Sequence, residues 1–320
     1  MRTTTSDVPK AIQEVYDRNL LERALPELVH NLFAQIRDIP RKTSDTIKFR
    51  KYNALNPNTT PLTQGITPQG KKLSATDITV QIKQYGDYVE ITDEVDLFNV
   101  DKVLLEASDV LGEQAGQSLD IITRDVLASG TNVFYAGGKT ARNQITSTDT
   151  PTYNDFLAIV RILEENNAKP ITRFVNPDTG YDTTPLAPSF VGIVHPKTAE
   201  VIKKNISQFK PVEKYQAQAV NVLPGEIGAI DRIRLIQTSL AKVFPGEGSG
   251  GEDVYATIVL ARNAYGVSRI SGETLRNIVK GFGSAGSADP LEQRATSAWK
   301  ATFAAAILQQ AWLVRYEHAV

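Results

Sequence analysis

The 320-residue sequence contains no cysteine. That absence excludes a disulfide-stapled scaffold, a thiolate zinc site, an iron–sulfur cluster and a cysteine nucleophile, and leaves the redox compartment open. An excess of charge is missing as well: 35 Lys and Arg stand against 36 Asp and Glu, a formal charge of -1. Non-specific affinity for nucleic acid comes from clustered cations that release counterions, so holding phosphates is not the main work of this chain. No apolar run approaches the roughly 18–20 residues of a membrane helix, and Met1 to Pro9 lack the apolar stretch of a secretory signal. These features predict a soluble, cytosolically made protein. Histidine is scarce: His30, His195 and His318 are far apart, none has a second His at helical ligand spacing, and no G-x-S-x-G elbow is present. Each reads as structural or surface. No catalytic set, metal site or cofactor site emerges.

What is present is organised. The length permits one large domain or two ordinary ones, with chain enough to bury a core. There is no internal repeat and no low-complexity tract. The first forty residues have helical spacing: Asp7 is a candidate N-cap, Pro9 falls in the first turn, and Ile12, Val15, Tyr16 and Leu20 recur at three and four. Pro26 interrupts this, because its ring removes one hydrogen bond and clashes one turn back. Leu28, Val29, Leu32, Phe33 and Ile36 then predict that the helix resumes, giving an amphipathic arm in two pieces.

Thr46 to Tyr52 alternates with Ile47 and Phe49 on one side, and Asp77 to Gln84 alternates with Ile78, Val80 and Ile82 opposite Thr79, Gln81 and Lys83. Both read as half-buried strands. Between them, Asn53 to Ala75 holds Pro57, Pro61, Pro68, Gly65, Gly70 and four threonines, with only Leu55, Leu62, Ile66 and Leu73 as scattered apolar residues. A structureless connection of that length is uncommon in a compact domain unless something outside the fold holds it. The segment predicts a projecting two-stranded arm.

From Asn99 to Ser129 apolar residues recur every three or four positions, from Val100 and Leu104 through Leu111, Ala115 and Leu119 to Val126. Asn99 can cap the start and Gly130 the end of one rod about 45 Å long. Gly112 and Gly116 lie on one side of it, one turn apart; since Gly costs roughly 1 kcal/mol relative to Ala inside a helix, the pair points to close packing there. Further on, Tyr153 to Asn167 and His195 to Ile206 read as helices, and Phe190 to Val194, Arg232 to Gln237, Tyr255 to Ala261, Thr296 to Phe303 and Trp312 to Tyr316 as strands. The middle of the chain is a mixed α and β region.

Three glycine patterns are coincidental. Gly281 to Gly286 fits G-x-G-x-x-G, but a strand follows and too little chain remains for a nucleotide fold. Gly65 to Lys71 has the spacing of a phosphate-binding loop, yet Lys72 stands where a hydroxyl is needed. Gly112 and Gly116 have a membrane-dimer spacing, which Glu113, Gln114 and Gln117 forbid. The acids Asp93, Glu94 and Asp96 before the long helix favour its positive dipole end rather than forming a catalytic pair.

The run Thr60-Pro61-Leu62-Thr63-Gln64-Gly65-Ile66-Thr67-Pro68, the step Lys83-Gln84-Tyr85-Gly86-Asp87-Tyr88, Leu111-Gly112-Glu113-Gln114-Ala115-Gly116, Arg124-Asp125-Val126-Leu127 with Gly130-Thr131-Asn132, Asn166-Asn167-Ala168-Lys169-Pro170, Gly225-Glu226-Ile227-Gly228, Tyr255-Ala256-Thr257 and Gly283 to Thr296 with Trp299-Lys300 resemble the major capsid proteins of tailed bacteriophages. The likeness spans nearly the whole chain and is similar to the branch typified by the head protein of coliphage N-four. It implies an α+β fold of the Hong Kong 97 type. In that fold residues 1–43 would be the N-terminal arm, 44–92 the extended β-loop, 93–149 a peripheral domain with spine helix 99–129, 150–275 the axial domain, and 276–320 the return to the peripheral domain. About forty residues before the loop are too few for a built-in scaffolding segment, so the resemblance implies a separate scaffolding protein.

Taken together, the residues and the resemblance predict a non-enzymatic shell protein of the virion. It would associate with itself in hexamers and pentamers, meet a portal and decoration proteins, touch packaged double-stranded DNA non-specifically, and require no membrane. Predicted contacts between subunits are Pro61, Thr63, Gly65, Thr67, Pro68, Gly70 and Arg294, and Gly112 and Gly116 are predicted to be positions of close helix packing. Two alternatives are an encapsulin-type compartment enclosing enzymes and a mixed α/β catalyst, the latter lacking any His- or carboxylate-based site.

Overall fold

The computed structural model describes residues 20, 23–24, 28–39, 45–52, 55–62, 64–65, 67, 70–94, 103–175, 183–215, 222–270, 274–284 and 290–320. In chain order these form β1 (Gln35–Arg37), β2 (Thr46–Tyr52), β3 (Ala75–Gln81), β4 (Lys83–Thr92), α1 (Val103–Ala128), β5 (Val133–Tyr135), α2 (Tyr153–Glu165), β6 (Ile171–Val175), β7 (Thr183–Val194) and α3 (Pro196–Asn205). There follow β8 (Lys210–Pro211), β9 (Glu226–Ile230), β10 (Ile233–Gln237), β11 (Val243–Phe244), β12 (Val254–Leu260), β13 (Tyr265–Ser268), β14 (Leu275–Lys280), β15 (Arg294–Phe303), β16 (Ala305–Ile307) and β17 (Leu313–His318).

A nine-stranded mixed sheet, in the order β5-β17-β12-β7-β10-β9-β8 with β11 on β12 and β6 on β7, is covered on both faces. Its central strands alternate accordingly. Ile258 and Leu260 of β12, Val191 and Ile193 of β7 and Ile236 of β10 point to the side of α1. Val259, Phe190, Val194, Ile233 and Leu235 point to α2 and α3. Burial on both faces explains why these strands read as unbroken apolar runs rather than as alternating ones. Helix α2 begins at a reciprocal cap in which Thr152 and Asp155 bond each other's backbone, and α3 begins at His195, whose ring accepts from the Lys197 amide, followed by Pro196 at the first helical position.

Helix α1 lies over a second, three-stranded sheet, β14-β15-β4, paired antiparallel from Arg294↔Thr92 to Phe303↔Lys83. Leu111, Ala115, Leu119 and Leu127 supply its buried stripe, packed with Trp299, Ala301 and Phe303. Polar bonds fix its position: Trp299 Nε1 donates to Gln114 Oε1 at 3.0 Å, and Gln114 Nε2 donates to Asp87 Oδ2 at 2.8 Å. The helix ends at Ala128, where the Arg315 guanidinium bonds the carbonyls of Ala128 and Gly130, a cation placed on the helix's negative end. Its expected cap, Asn99, lies outside the described residues.

Two expectations give way. Residues 28–36 do not resume a helix: Val29 to Phe33 form turns and Gln35 enters β1, which pairs in parallel with β13. Tertiary bonds override the helical spacing here. Asp120 of α1 accepts from the His30 amide and from its Nδ1, both at 2.6 Å, while Thr123 Oγ1 donates to Asn31 Oδ1 and the Tyr265 hydroxyl donates to the His30 carbonyl. With those backbone groups held by side chains of other elements, an i to i−4 ladder cannot form through them. The helical reading of residues 1–19 falls outside the described residues. The second departure is at the far end: β14 and β15 join β4, but β17 pairs with β12 and β5, so residues 313–318 sit in the nine-stranded sheet rather than returning with their neighbours to the sheet under α1.

His318 is fully buried, with Nδ1 donating to the Ala319 carbonyl at 2.9 Å and Nε2 facing Thr257 Oγ1 at 3.1 Å. Burial pushes its pKa down from 6.5 to about 4. Since the unfolded chain then binds the proton more tightly, the stability this ring contributes is complete above about pH 6.5 and is lost as pH falls through the window down to about 4, by about 3 kcal/mol at most. Urea unfolding of the subunit at pH 7, 5.5 and 4.5 should show that decline. His318→Gln should start lower at pH 7 and decline less steeply; an identical slope would assign the acid sensitivity to other groups.

Candidate assembly surface

The β2–β3 hairpin is antiparallel from Thr46↔Gln81 to Tyr52↔Ala75. Its root is apolar and anchored. Ile47 and Phe49 are buried with Ala304, and Ile78, Val80 and Leu308 pack against them. The Phe49 ring lies directly on the backbone of Gly266 in β13; a Cβ there would stand 2.4 Å from Phe49 Cε1, so only glycine admits the ring. Past the root, the described apolar residues are uncovered. Tyr52 is 60% exposed, and beyond it Leu55, Leu62 at 75% and Leu73 at 59% are bare.

The hairpin is held together by its own short bonds. Arg50 Nε and Nη2 reach Asp77 Oδ1 and Oδ2 at 2.8 and 3.1 Å across the strands, and Lys71 Nζ donates to the Asn56 carbonyl at 2.6 Å at the neck of the loop. The Arg50 guanidinium holds the Asp77 carboxyl below its usual range, chiefly by hydrogen bonding. Both side chains are exposed, so this pair fixes cross-strand geometry more than it stabilises.

Of the predicted contact residues, Pro61, Gly65, Thr67 and Gly70 lie in this loop and are exposed, and a Cβ added at Gly65 or Gly70 would meet no heavy atom within 4 Å. Thr63 and Pro68 fall outside the described residues. Arg294 is elsewhere, at the start of β15, where its Nη1 donates to Glu90 Oε1 of β4 at 3.2 Å; the pair is half exposed. Gly112 and Gly116 are both buried on α1. A Cβ on Gly112 would stand 3.0 Å from Arg23 Cβ and 3.1 Å from the Leu20 carbonyl oxygen, so the N-terminal segment crosses the helix there. The predicted residues are thus three separate places, not one site.

The structure adds apolar surface that the sequence reading passed over. Tyr88, 63% exposed, and Val89 lie on β4, the open edge of its sheet; Val110, 65% exposed, projects from the outer face of α1. Phe282 and Leu291 are exposed on the connection between β14 and β15. In β4 the signal was legible: aromatic residues at Tyr85 and Tyr88 fall on opposite faces of one strand, and only one face has a helix to cover it. A mixed crevice of about 610 Å³ opens beside the hairpin root, lined by Phe49, Tyr52, Lys169, Asn263, Gln309 and Trp312. It contains no paired carboxylates and no histidine. Among the described residues no three His, Asp or Glu side chains are grouped as metal ligands, and no helix is long and apolar enough to cross a membrane.

The phage capsid protein family model matches residues 75–315, most of the chain, and the chain belongs to that family. Its structure is similar to the capsid of Ralstonia phage GP4, at a TM-score of 0.71 and 12% identity, covering 89% of this chain and 87% of that one. It is similar also to the cyanophage Pam1 capsid, at 0.66 and 13%, covering 93% and 92%. A virus-like particle from Pyrococcus furiosus matches more distantly, at 0.50 and 11%, covering 95% and 99%. No curated protein sequence matches the chain. The fold is the α+β capsid fold of the Hong Kong 97 type, and the protein is a structural component of a virion shell.

Because Gly112 has backbone and Cβ atoms pressed against it, Gly112→Leu should lower subunit stability by about 1 kcal/mol or more. Val110→Leu, two residues away on the exposed face, should be close to neutral. A thermal melt of both variants decides the point, and equal midpoints would show that the segment around Leu20 can move aside at no cost.

Proposed function

We propose that this protein is the major capsid protein of a tailed bacteriophage, assembling through hexamers and pentamers into an icosahedral head that encloses double-stranded DNA. One observation carries the reading: the hairpin's root is packed into its own subunit while its tip exposes Tyr52, Leu55, Leu62 and Leu73. Apolar surface of that kind on a projecting element marks an interaction site. A tip that leaves one subunit and lies on the next makes a heterologous contact, and such contacts continue into rings and lattices instead of stopping at a dimer. Many modest contacts then hold the particle through multivalency.

In this reading residues 44–92 are the extended loop, helix α1 is the spine, and the nine-stranded sheet is the axial domain, to which β5 and β17 also contribute. Pro61, Thr63, Gly65, Thr67, Pro68 and Gly70 make the contact with a neighbour, while Arg294 with Glu90 ties the long sheet. The near-neutral chain suits a container that must not trap its genome. A separate scaffolding protein, a portal and decoration proteins are the further partners, and the motifs around Thr60 to Pro68 and Gly283 to Thr296 support membership in the N-four-like branch. The family match favours a genome container over an encapsulin-type compartment.

Deleting Pro61 to Gly70 should leave a folded, soluble subunit that forms no shells in electron micrographs. Particles like those of the intact chain would overturn the reading. Extracting purified particles separates the two containers: double-stranded DNA supports the capsid, and a single co-purified enzyme supports the compartment.

A further inference from the structure

Helix α1 covers one face of the β14-β15-β4 sheet, and the alternation of burial shows what stands on the other. Leu275 and Asn277 of β14 and Ser297 and Trp299 of β15 point toward α1 and are buried. Arg276 and Lys280 of β14, Arg294 and Lys300 of β15, and Tyr88 and Glu90 of β4 point away from it, and all six are exposed.

The cations on this open face are poorly compensated. Glu90 is the one acid among its described strand residues, and it is held by Arg294 at 3.2 Å. Arg276, Lys280 and Lys300 have no hydrogen-bonded or ionic partner among the described residues. Two of them are set against each other, since Arg276 lies directly opposite Lys300 in the strand register. Like charges at opposed positions destabilise a sheet, so an anion lying over the pair would relieve a cost that the isolated subunit carries.

The pattern across the three strands is regular. One row is Gly86, Lys300 and Arg276, the next is Tyr88, Ala298 and Ile278, and the third is Glu90, Thr296 and Lys280. The two rows with unpaired cations are therefore about 14 Å apart along the strands, with the Tyr88 ring between them. A protein-docking surface has an apolar centre depleted of lysine. Nucleic-acid interfaces are instead polar and strongly positive, and their phosphates are taken by Arg, Lys, Thr and Tyr side chains, the set found on this face.

We propose, resting on the shell reading above, that the open face of the β14-β15-β4 sheet is where the packaged duplex touches the subunit. Arg276, Lys280 and Lys300 take its phosphates, and the Tyr88 hydroxyl donates to the same backbone. Three such cations give a weak, sequence-independent contact driven by counterion release. That suits a chain of net charge -1: one contact lets go easily, while many copies together line the genome.

The test is binding of a labelled duplex of about 20 base pairs to the full chain, read by fluorescence anisotropy at 50, 100 and 200 mM NaCl. The logarithm of the association constant should fall against the logarithm of salt with a slope of about -3, the value for three phosphates. Arg276→Gln, Lys280→Gln and Lys300→Gln combined should weaken binding at least tenfold at 50 mM and bring the slope near zero. Circular dichroism and shell formation in electron micrographs should stay as in the parent chain. Lys203→Gln with Lys204→Gln, exposed on α3, should change neither affinity nor slope. Unchanged affinity and slope in the triple variant would overturn the proposal. So would tighter binding of poly-glutamate than of the duplex at equal salt, which would assign the face to an acidic protein segment. A triple variant that folds but forms no shells would make the face a contact between subunits, overturning the proposal and leaving the shell reading standing.

Discussion

The contact between the Phe49 ring and the Gly266 backbone fixes where the hairpin leaves the body. Ile47, Phe49, Ile78 and Val80 pack one face of β2 and β3 against Ala304, Leu308 and the β13 backbone, and this burial is worth on the order of a few kcal/mol. Everything the hairpin can do beyond its root follows from that: its exit direction is set by packing within the subunit, while its tip has no partner to pack on. A side chain larger than hydrogen at position 266 would force the Phe49 ring or the β13 backbone to shift. The subunit is therefore rigid where it aims and bare where it reaches.

Helix α1 serves a different purpose. It touches the N-terminal segment through Gly112, the three-stranded sheet through Gln114 and Trp299, and the turns around His30 through Asp120 and Thr123. Several of these contacts are buried polar bonds rather than apolar ones. Such bonds are directional, and breaking one leaves a desolvated group behind, so they hold the helix in one register where a purely apolar stripe would tolerate a slide. The Asp120 carboxylate is the extreme case: fully buried, it accepts from both the amide and the ring of His30.

Much of this was legible before any coordinates. The period-two alternation of residues 46–52 and the long period of three and four after residue 99 each translate directly into an element, whereas the alternation of residues 77–84 is divided at Ile82 between β3 and β4, which join different sheets. What sequence spacing could not resolve was decided by distant partners. Leu28 to Ile36 have helical spacing, yet the His30 amide is claimed by Asp120 and its carbonyl by Tyr265, while the Asn31 side chain is bonded by Thr123. Trp312 to Tyr316 reads as a strand, but nothing local says which of two sheets it joins. For the assembly surface, glycines and prolines in the loop and the opposed tyrosines of β4 were visible, while Val110 was not, because exposure of an apolar residue depends on which face lacks a cover. Gly112 was legible only as an anomaly in a helix; its cause, the crossing segment at Leu20 and Arg23, is tertiary.

The placement of β17 has a bearing on how such a subunit is made. It lies between β12 and β5 in the interior of the nine-stranded sheet, with Leu313, Val314 and Tyr316 buried. A nascent chain still missing residues 313–318 cannot bridge β5, near residue 133, to the rest of that sheet, and both flanking strands stay open along their hydrogen-bonding edges. Closure of the domain thus waits until residues 313–318 have been made, and a chain that lacks them keeps two unpaired strand edges on which other strands can add.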